Sequence, residues 1–193
     1  REARVDNSLL RLLFTGSFCF HKGALEILES LKLLKDRGIT GITMDVVGTY
    51  SASTKLIDKY RLADIPIVFH GHVPQDSLKV FLANADVYVF PSLAEGCASS
   101  GLEAMAAGLC VVATRESGLP ISDGDNGYII PAMDAKALAD KIEWLQQHPN
   151  DVDYVGVAAS RLIQEEYTWE CYAEKIRLIY RELCSSSSQT QTF

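Results

Sequence analysis

Short continuous apolar runs alternate along this chain with longer stretches whose apolar residues recur every three or four positions. Residues 9–14, 44–47, 65–69, 87–90, 110–113 and 128–130 are apolar runs of strand length. Between the first two, residues 22–37 place Ala24, Ile27, Leu28, Leu31 and Leu34 at helical spacing, and Gly38 marks the stop. Residues 53–63 and 75–84 predict further helices, the second with Leu78, Phe81 and Leu82 on one face. Pro66 falls at the entry of the third strand, where a missing donor does least harm. After the last strand the pattern predicts helices over 135–147, around 152–166 and over 169–183. Residues 185–193, mostly Ser, Thr and Gln, read as a disordered polar tail.

Strands that are apolar on both faces need helices above and below them. The alternation therefore predicts an α/β chain: a Rossmann-like, doubly wound parallel six-stranded sheet forming one domain over residues 1–184. Ligands of such sheets bind at the carboxyl ends of the strands, where Gly16, Gly48, Gly71 and Ser92 fall.

With 193 residues and 48% of them hydrophobic, the chain can bury a full core. The net charge of −7 speaks against a nucleic-acid partner and leaves small anionic ligands open. No apolar run approaches the roughly 20 residues of a membrane span, and the N-terminal patch is too short for a signal peptide. The five cysteines are odd in number, widely spread and without a Cys-x-x-Cys pair. They read as free thiols of a reducing compartment, so a cytoplasmic location is expected.

Candidate chemistry gathers between Phe90 and Ala113, which reads as strand, small-residue loop, short helix and strand. A loop of Gly, Ala and Ser leaves backbone amides uncovered at a helix start, where a phosphate can sit. Glu95 and Glu103 bracket the loop. A diphosphate among the amides, with sugar hydroxyls reaching two carboxylates, fits that arrangement. Glu103 equally fits a capping box with Ser100 as its N-cap, so both readings stand at this point. Lys22 opens the first predicted helix, where it opposes the macrodipole by about 0.3–1 kcal/mol; a bound anion would account for it. Neither a Gly-x-Gly-x-x-Gly fingerprint nor a P-loop is present. His70-Gly71-His72 lacks a third metal ligand at recognisable spacing and reads as a polar strand end. Asp123-Gly124-Asp125-Asn126-Gly127 reads as a turn. Trp144, Trp169 and Tyr180 fall on predicted helices as packing residues.

Phe90-Pro91-Ser92, Glu95-Gly96, Gly101-Leu102-Glu103-Ala104-Met105-Ala106-Ala107-Gly108 and Val111-Val112-Ala113-Thr114 together resemble the signature of retaining glycosyltransferases of family four. Gly16 with Lys22-Gly23, Val47-Gly48, Phe69-His70-Gly71-His72-Val73, Asn126-Gly127 and Trp169 follow in that family's order, so the likeness covers about residues 9–184. The resemblance implies a GT-B fold of two Rossmann-like domains across a cleft, with this chain as the C-terminal, donor-binding half. It implies a nucleotide-diphosphate sugar as donor, no cofactor and no metal. Retaining transfer to an acceptor hydroxyl would follow, in glycoconjugate or polysaccharide biosynthesis.

By the same resemblance Lys22 grips the donor diphosphate, beside Gly16 and Ser17, and Glu95 lies by the transferred sugar as its catalytic partner. The amides of Gly96, Cys97, Ala98, Ser99, Ser100, Gly101 and Leu102 would cradle sugar and phosphate. Glu103 would accept from the ribose hydroxyls, and backbone near Val73 would meet the nucleobase. An N-terminal half would supply the acceptor site and a possible peripheral membrane contact. Three departures stand out. Ser17 replaces the usual Arg, the loop over 117–127 is short with Pro120-Ile121 for the common Pro-Glu, and the N-terminal half lies outside this chain. The chain alone is therefore expected to bind a donor and hardly transfer sugar. A non-catalytic nucleotide-sugar binding module is the alternative.

Overall fold

The computed structural model describes residues 9–50 and 67–187. Six strands, β1 (Leu10–Thr15), β2 (Ile42–Val47), β3 (Ile67–Gly71), β4 (Val87–Phe90), β5 (Cys110–Thr114) and β6 (Tyr128–Ile130), form one sheet. They are ordered β3-β2-β1-β4-β5-β6 and every pairing is parallel. The helices among the described residues are α1 (Ala24–Asp36), α2 (Gln75–Asn84), α3 (Ser99–Ala106), α4 (Ala135–Gln147), α5 (Pro149–Glu166) and α6 (Trp169–Ser187).

Hydrophobic pattern and position in the sheet agree. All residues of β4 and β5 are buried, as interior parallel strands require, whereas β3 at the edge alternates between half-buried and exposed residues. The core runs through Leu12, Leu13, Phe14, Val87, Val89, Phe90, Val111 and Val112. Phe14 stacks on Phe90 across the β1–β4 pair, with ring centroids 5.8 Å apart. α1 packs on α4, and Arg37, just past the end of α1, lies 2.7 Å from both Asp140 and Glu143 midway along α4. α3 packs on α5.

The expected doubly wound parallel sheet is the observed one, and several boundaries move for identifiable reasons. α1 begins at Ala24, not at Lys22, because Phe20–Lys22 forms a 3-10 turn and Gly23 breaks the direction with φ of 80°. β3 runs on to Gly71, where it pairs with Val47. α5 starts at Pro149, in the first helical turn, where a missing amide hydrogen costs nothing. α6 continues to Ser187, into the run expected to be disordered, since no Gly or Pro stops it there. The helix expected over 53–63 and the rest of the polar tail lie outside the described residues.

Because every strand points the same way, Gly16, Gly48, Gly71 and Ser92 gather along one edge of the sheet. The chain order reverses between β1 and β4. β1 leads through α1 to β2 on one side, and β4 leads through α3 to β5 on the other. A crevice opens at that point.

Candidate functional site at the sheet switch point

Two loops meet in this crevice. After β1 the chain passes Gly16 and the 3-10 turn to reach Gly23, whose left-handed φ of 80° favours glycine. A Cβ on Gly23 would lie 2.2 Å from the Pro91 carbonyl oxygen, so its absence lets the entrance of α1 rest on the loop after β4. The Leu93 amide (2.8 Å) and the Ser92 hydroxyl (3.1 Å) both donate to the His21 carbonyl and fasten the two loops. As a result Lys22 Nζ lies 3.1 Å from Glu95 Oε1, with the two side chains 25% and 21% exposed. The ammonium also stands 5.7 Å from the centroid of the Phe90 ring, a cation–π contact.

The far side of the small-residue loop is anchored to the turn after β5. The Glu95 amide donates to the Glu116 carbonyl (2.8 Å) and the Ala98 amide to that of Ser117 (3.1 Å). Gly118, at φ of 66°, comes so close to Gly96 that a Cβ would meet its carbonyl oxygen at 2.4 Å. An open hollow of about 520 Å³ remains, lined by Leu93, Ala94, Glu95, Gly96 and Glu116.

The capping box does not form. Ala98 is the N-cap of α3 and no side chain caps the helix, because the bond from Ala98 to Ser117 starts the helix ahead of Ser100. The Ser100 hydroxyl instead accepts from the Tyr88 hydroxyl at 2.9 Å, and Thr15 Oγ1 lies 3.1 Å from that same phenol. Burial pushes the Tyr88 pKa up to about 12, with the hydrogen bonds to Ser100 and Thr15 opposing the shift, so at neutral pH the phenol keeps its proton. Glu103 is thereby left exposed and free of capping duty.

The expected site residues are thus brought together unevenly. Gly16, Lys22 and Glu95 come together, since a Cβ on Gly16 would lie 3.9 Å from Lys22 Nζ and Lys22 meets Glu95, while Glu95 and Gly96 line the hollow. Of the loop amides, those of Gly101 and Leu102 already donate to the Ala98 carbonyl, and that of Ala98 is held by Ser117. Cys97, Ser99, Leu102 and Glu103 line a second groove of about 760 Å³, closed on its other side by Tyr167, Trp169 and Tyr172. Val73, half-buried beyond β3, lies at the far edge of the sheet from β5 and β6. Ser17 lies 3.1 Å from Thr49, hydroxyl to hydroxyl, and brings no charge.

Metal-like spacings are used otherwise. Asp123 Oδ1 accepts from the Ile129 amide and Asp125 Oδ2 from the Ser122 hydroxyl, both at 2.8 Å, which makes this segment the expected turn. His70 Nε2 lies 2.7 Å from Asp45 Oδ1. Among the described residues no group of three or more His, Cys, Asp or Glu could hold a metal ion. No described helix is long and apolar enough to cross a membrane, and none of the five cysteines is in a disulfide. Sequence reasoning missed Tyr88 and Glu116. A hydroxyl inside the apolar run Val87-Tyr88-Val89-Phe90 was the available signal for Tyr88, since a buried phenol needs a partner. Glu116 acts through its carbonyl, which any residue could supply.

The profile of the family described as Glycosyl transferases group 1 matches residues 10–148. The amylovoran biosynthesis glycosyltransferase AmsK of Erwinia amylovora is 30% identical over 168 residues, covering 82% of this chain and 41% of AmsK. The capsular polysaccharide biosynthesis glycosyltransferase CapM of Staphylococcus aureus is 25% identical over 179 residues, 90% of this chain and 46% of CapM. The chain spans about two fifths of the length of such curated relatives. Among solved structures, the C-terminal domain of the group 1 family protein LpcC from Francisella tularensis superposes with a TM-score of 0.73. That match, at 23% identity, covers 83% of this chain and 87% of that domain. The fold is that of a GT-B C-terminal domain, and the chain belongs to the glycosyl transferases group 1 family.

Proposed function

We propose that the chain is the nucleotide-sugar donor domain of a retaining, metal-independent glycosyltransferase of polysaccharide or glycoconjugate biosynthesis. The observation that carries this reading is the juxtaposition of Lys22 with Glu95 beside the small-residue loop. Breaking an anomeric C–O bond leaves negative charge on the departing diphosphate. A lysine ammonium and prepositioned amides stabilise that charge without a metal. The amides of Gly96, Cys97, Ser99 and Ser100 are the ones left for this task, since Ala98, Gly101 and Leu102 are engaged. The leaving oxygens take the proton of the incoming hydroxyl on the same face, which retains configuration. Glu95 accepts from sugar hydroxyls and orients the ring, Glu103 serves the ribose, and backbone near Val73 the base. The acceptor site belongs to an N-terminal half, as the length of the relatives suggests.

Calorimetric titration with UDP, GDP, ADP and their common sugar conjugates tests the reading. Binding that is lost in both Lys22→Ala and Glu103→Ala supports it; binding unaffected by either substitution refutes it. In the complete enzyme Glu95→Gln lowers turnover, and a trapped glycosyl–Glu95 adduct would overturn the orienting role. Ser17, neutral and paired with Thr49 where a second cation is usual, favours one other reading, a module that binds the nucleotide sugar without transferring it.

A further inference from the structure

We infer that the Lys22–Glu95 ion pair is a partner-exchange device: it sets the preference of this site for a nucleotide that still carries its sugar over one that has lost it. The inference rests on the donor reading above.

Both members are held from the backbone. Lys22 is fixed by the Leu93 bond to the neighbouring His21 carbonyl, and Glu95 by its own amide on Glu116. The side chains meet at 3.1 Å and about three quarters of each is withdrawn from solvent. In the free protein the cation meant for the diphosphate is therefore already neutralised by the carboxylate meant for the sugar.

A bare nucleoside diphosphate can only take Lys22 away. Its oxygens replace Glu95 on the ammonium, and the displaced carboxylate is left near a new anion with no donor in exchange. A nucleotide sugar compensates both losses. Its phosphates take Lys22, and its hydroxyls donate to Glu95 while the ring separates carboxylate from phosphate. Once the glycosyl group has left, those hydroxyls go with it and Glu95 returns to Lys22, which hastens departure of the spent nucleotide. Glu95 is thus a specificity-determining residue through its charge as well as through its contact with the sugar.

The test measures dissociation constants for UDP, GDP and ADP and for UDP-glucose, GDP-mannose and ADP-glucose. The proteins are the unsubstituted chain, Glu95→Gln, Lys22→Met and the double variant, each checked for folding by circular dichroism. Glu95→Gln should tighten the bare nucleotide about two- to fivefold, the worth of one partly exposed ion pair, without tightening the sugar conjugate. In the Lys22→Met background the same substitution should leave the bare nucleotide unchanged. Exchange is overturned if Glu95→Gln leaves or weakens bare-nucleotide binding, or tightens it equally without Lys22. In either case binding of a conjugate to the unsubstituted chain would leave the donor reading standing. If no nucleotide in either form binds the folded chain, the donor reading fails and the exchange with it.

Discussion

Gly23→Ala separates a local backbone cost from the loop contact that builds the site. Gly23 and Gly38 both adopt left-handed conformations, with φ of 80° and 74°. A methyl group at Gly38 would meet nothing within 4 Å, whereas at Gly23 it would lie 2.2 Å from the Pro91 carbonyl oxygen and 2.5 Å from its Cγ. The left-handed conformation costs an L-residue about 1–2 kcal/mol. Loss of glycine's freedom in the unfolded chain returns about 0.4–1 kcal/mol. Gly38→Ala should therefore destabilise by about 0–1.6 kcal/mol. Gly23→Ala carries the same term plus an overpacking cost of about 1–3 kcal/mol, because the obstacle is backbone and cannot swing aside. Urea unfolding at constant slope reads both, and the expected excess for Gly23→Ala is about 2 kcal/mol. The same variant should weaken donor binding at temperatures where it is fully folded, since relief of the clash moves Lys22 away from Glu95. Equal losses for the two variants would refute the argument that α1 enters through contact with the Pro91 loop.

The other predictions probe the groups around the crevice. Tyr88→Phe removes the phenol shared by Thr15 and Ser100, and should cost about 1–2 kcal/mol by thermal unfolding. Because burial raises the Tyr88 pKa to about 12 in the folded chain, the unfolded chain gives up its proton first. Stability should then fall as pH rises from about 10 toward 12, and less steeply in Tyr88→Phe. Glu26 on α1 is buried, its Oε2 has no hydrogen-bond partner, and burial raises its pKa above 4.5. Its carboxylate therefore costs stability as pH rises past that value, and Glu26→Met should gain about 1 kcal/mol at pH 7 and less at pH 4 in denaturant titrations. Ser17→Arg, at an exposed position, should tighten nucleotide-sugar binding about fivefold, or about 1 kcal/mol. An unchanged affinity in calorimetry would show that the Ser17 turn does not reach the diphosphate.

Most of the fold was legible because burial on both faces of a parallel sheet writes uninterrupted apolar runs into its interior strands, as in β4 and β5. Val87–Phe90 was readable to the residue for that reason, and Tyr128–Ile130, at one edge of the sheet, because its short apolar run follows the Asp123–Gly127 turn. The edge strand β3 was less so: its end depends on Gly71 finding Val47 across the sheet, which no local pattern records. The capping box failed in a similar way. Ser100 and Glu103 have the right spacing, but the start of α3 is set by a bond to Ser117, remote in sequence and carried by a backbone carbonyl. Lys22 looked like a helix-opening residue because periodicity does not distinguish a 3-10 turn from the helix that follows it.

Topology explains why Lys22 and Glu95 meet although neither points to the other in the sequence. Lys22 follows β1 and Glu95 follows β4, and these are the adjacent strands at which the order reverses. Their outgoing connections diverge, so the space above the junction is left unfilled by any crossover. A charged residue in each loop then faces its opposite across a gap that the fold cannot close with apolar side chains. The loops after β1 and β2 lie side by side on one winding, and there Ser17 and Thr49 join through neutral hydroxyls. The meeting of Lys22 with Glu95 at the junction therefore follows from the winding of the sheet. A substitution that respects local propensity but changes either loop's approach to the β1–β4 junction should affect the site before it affects the fold.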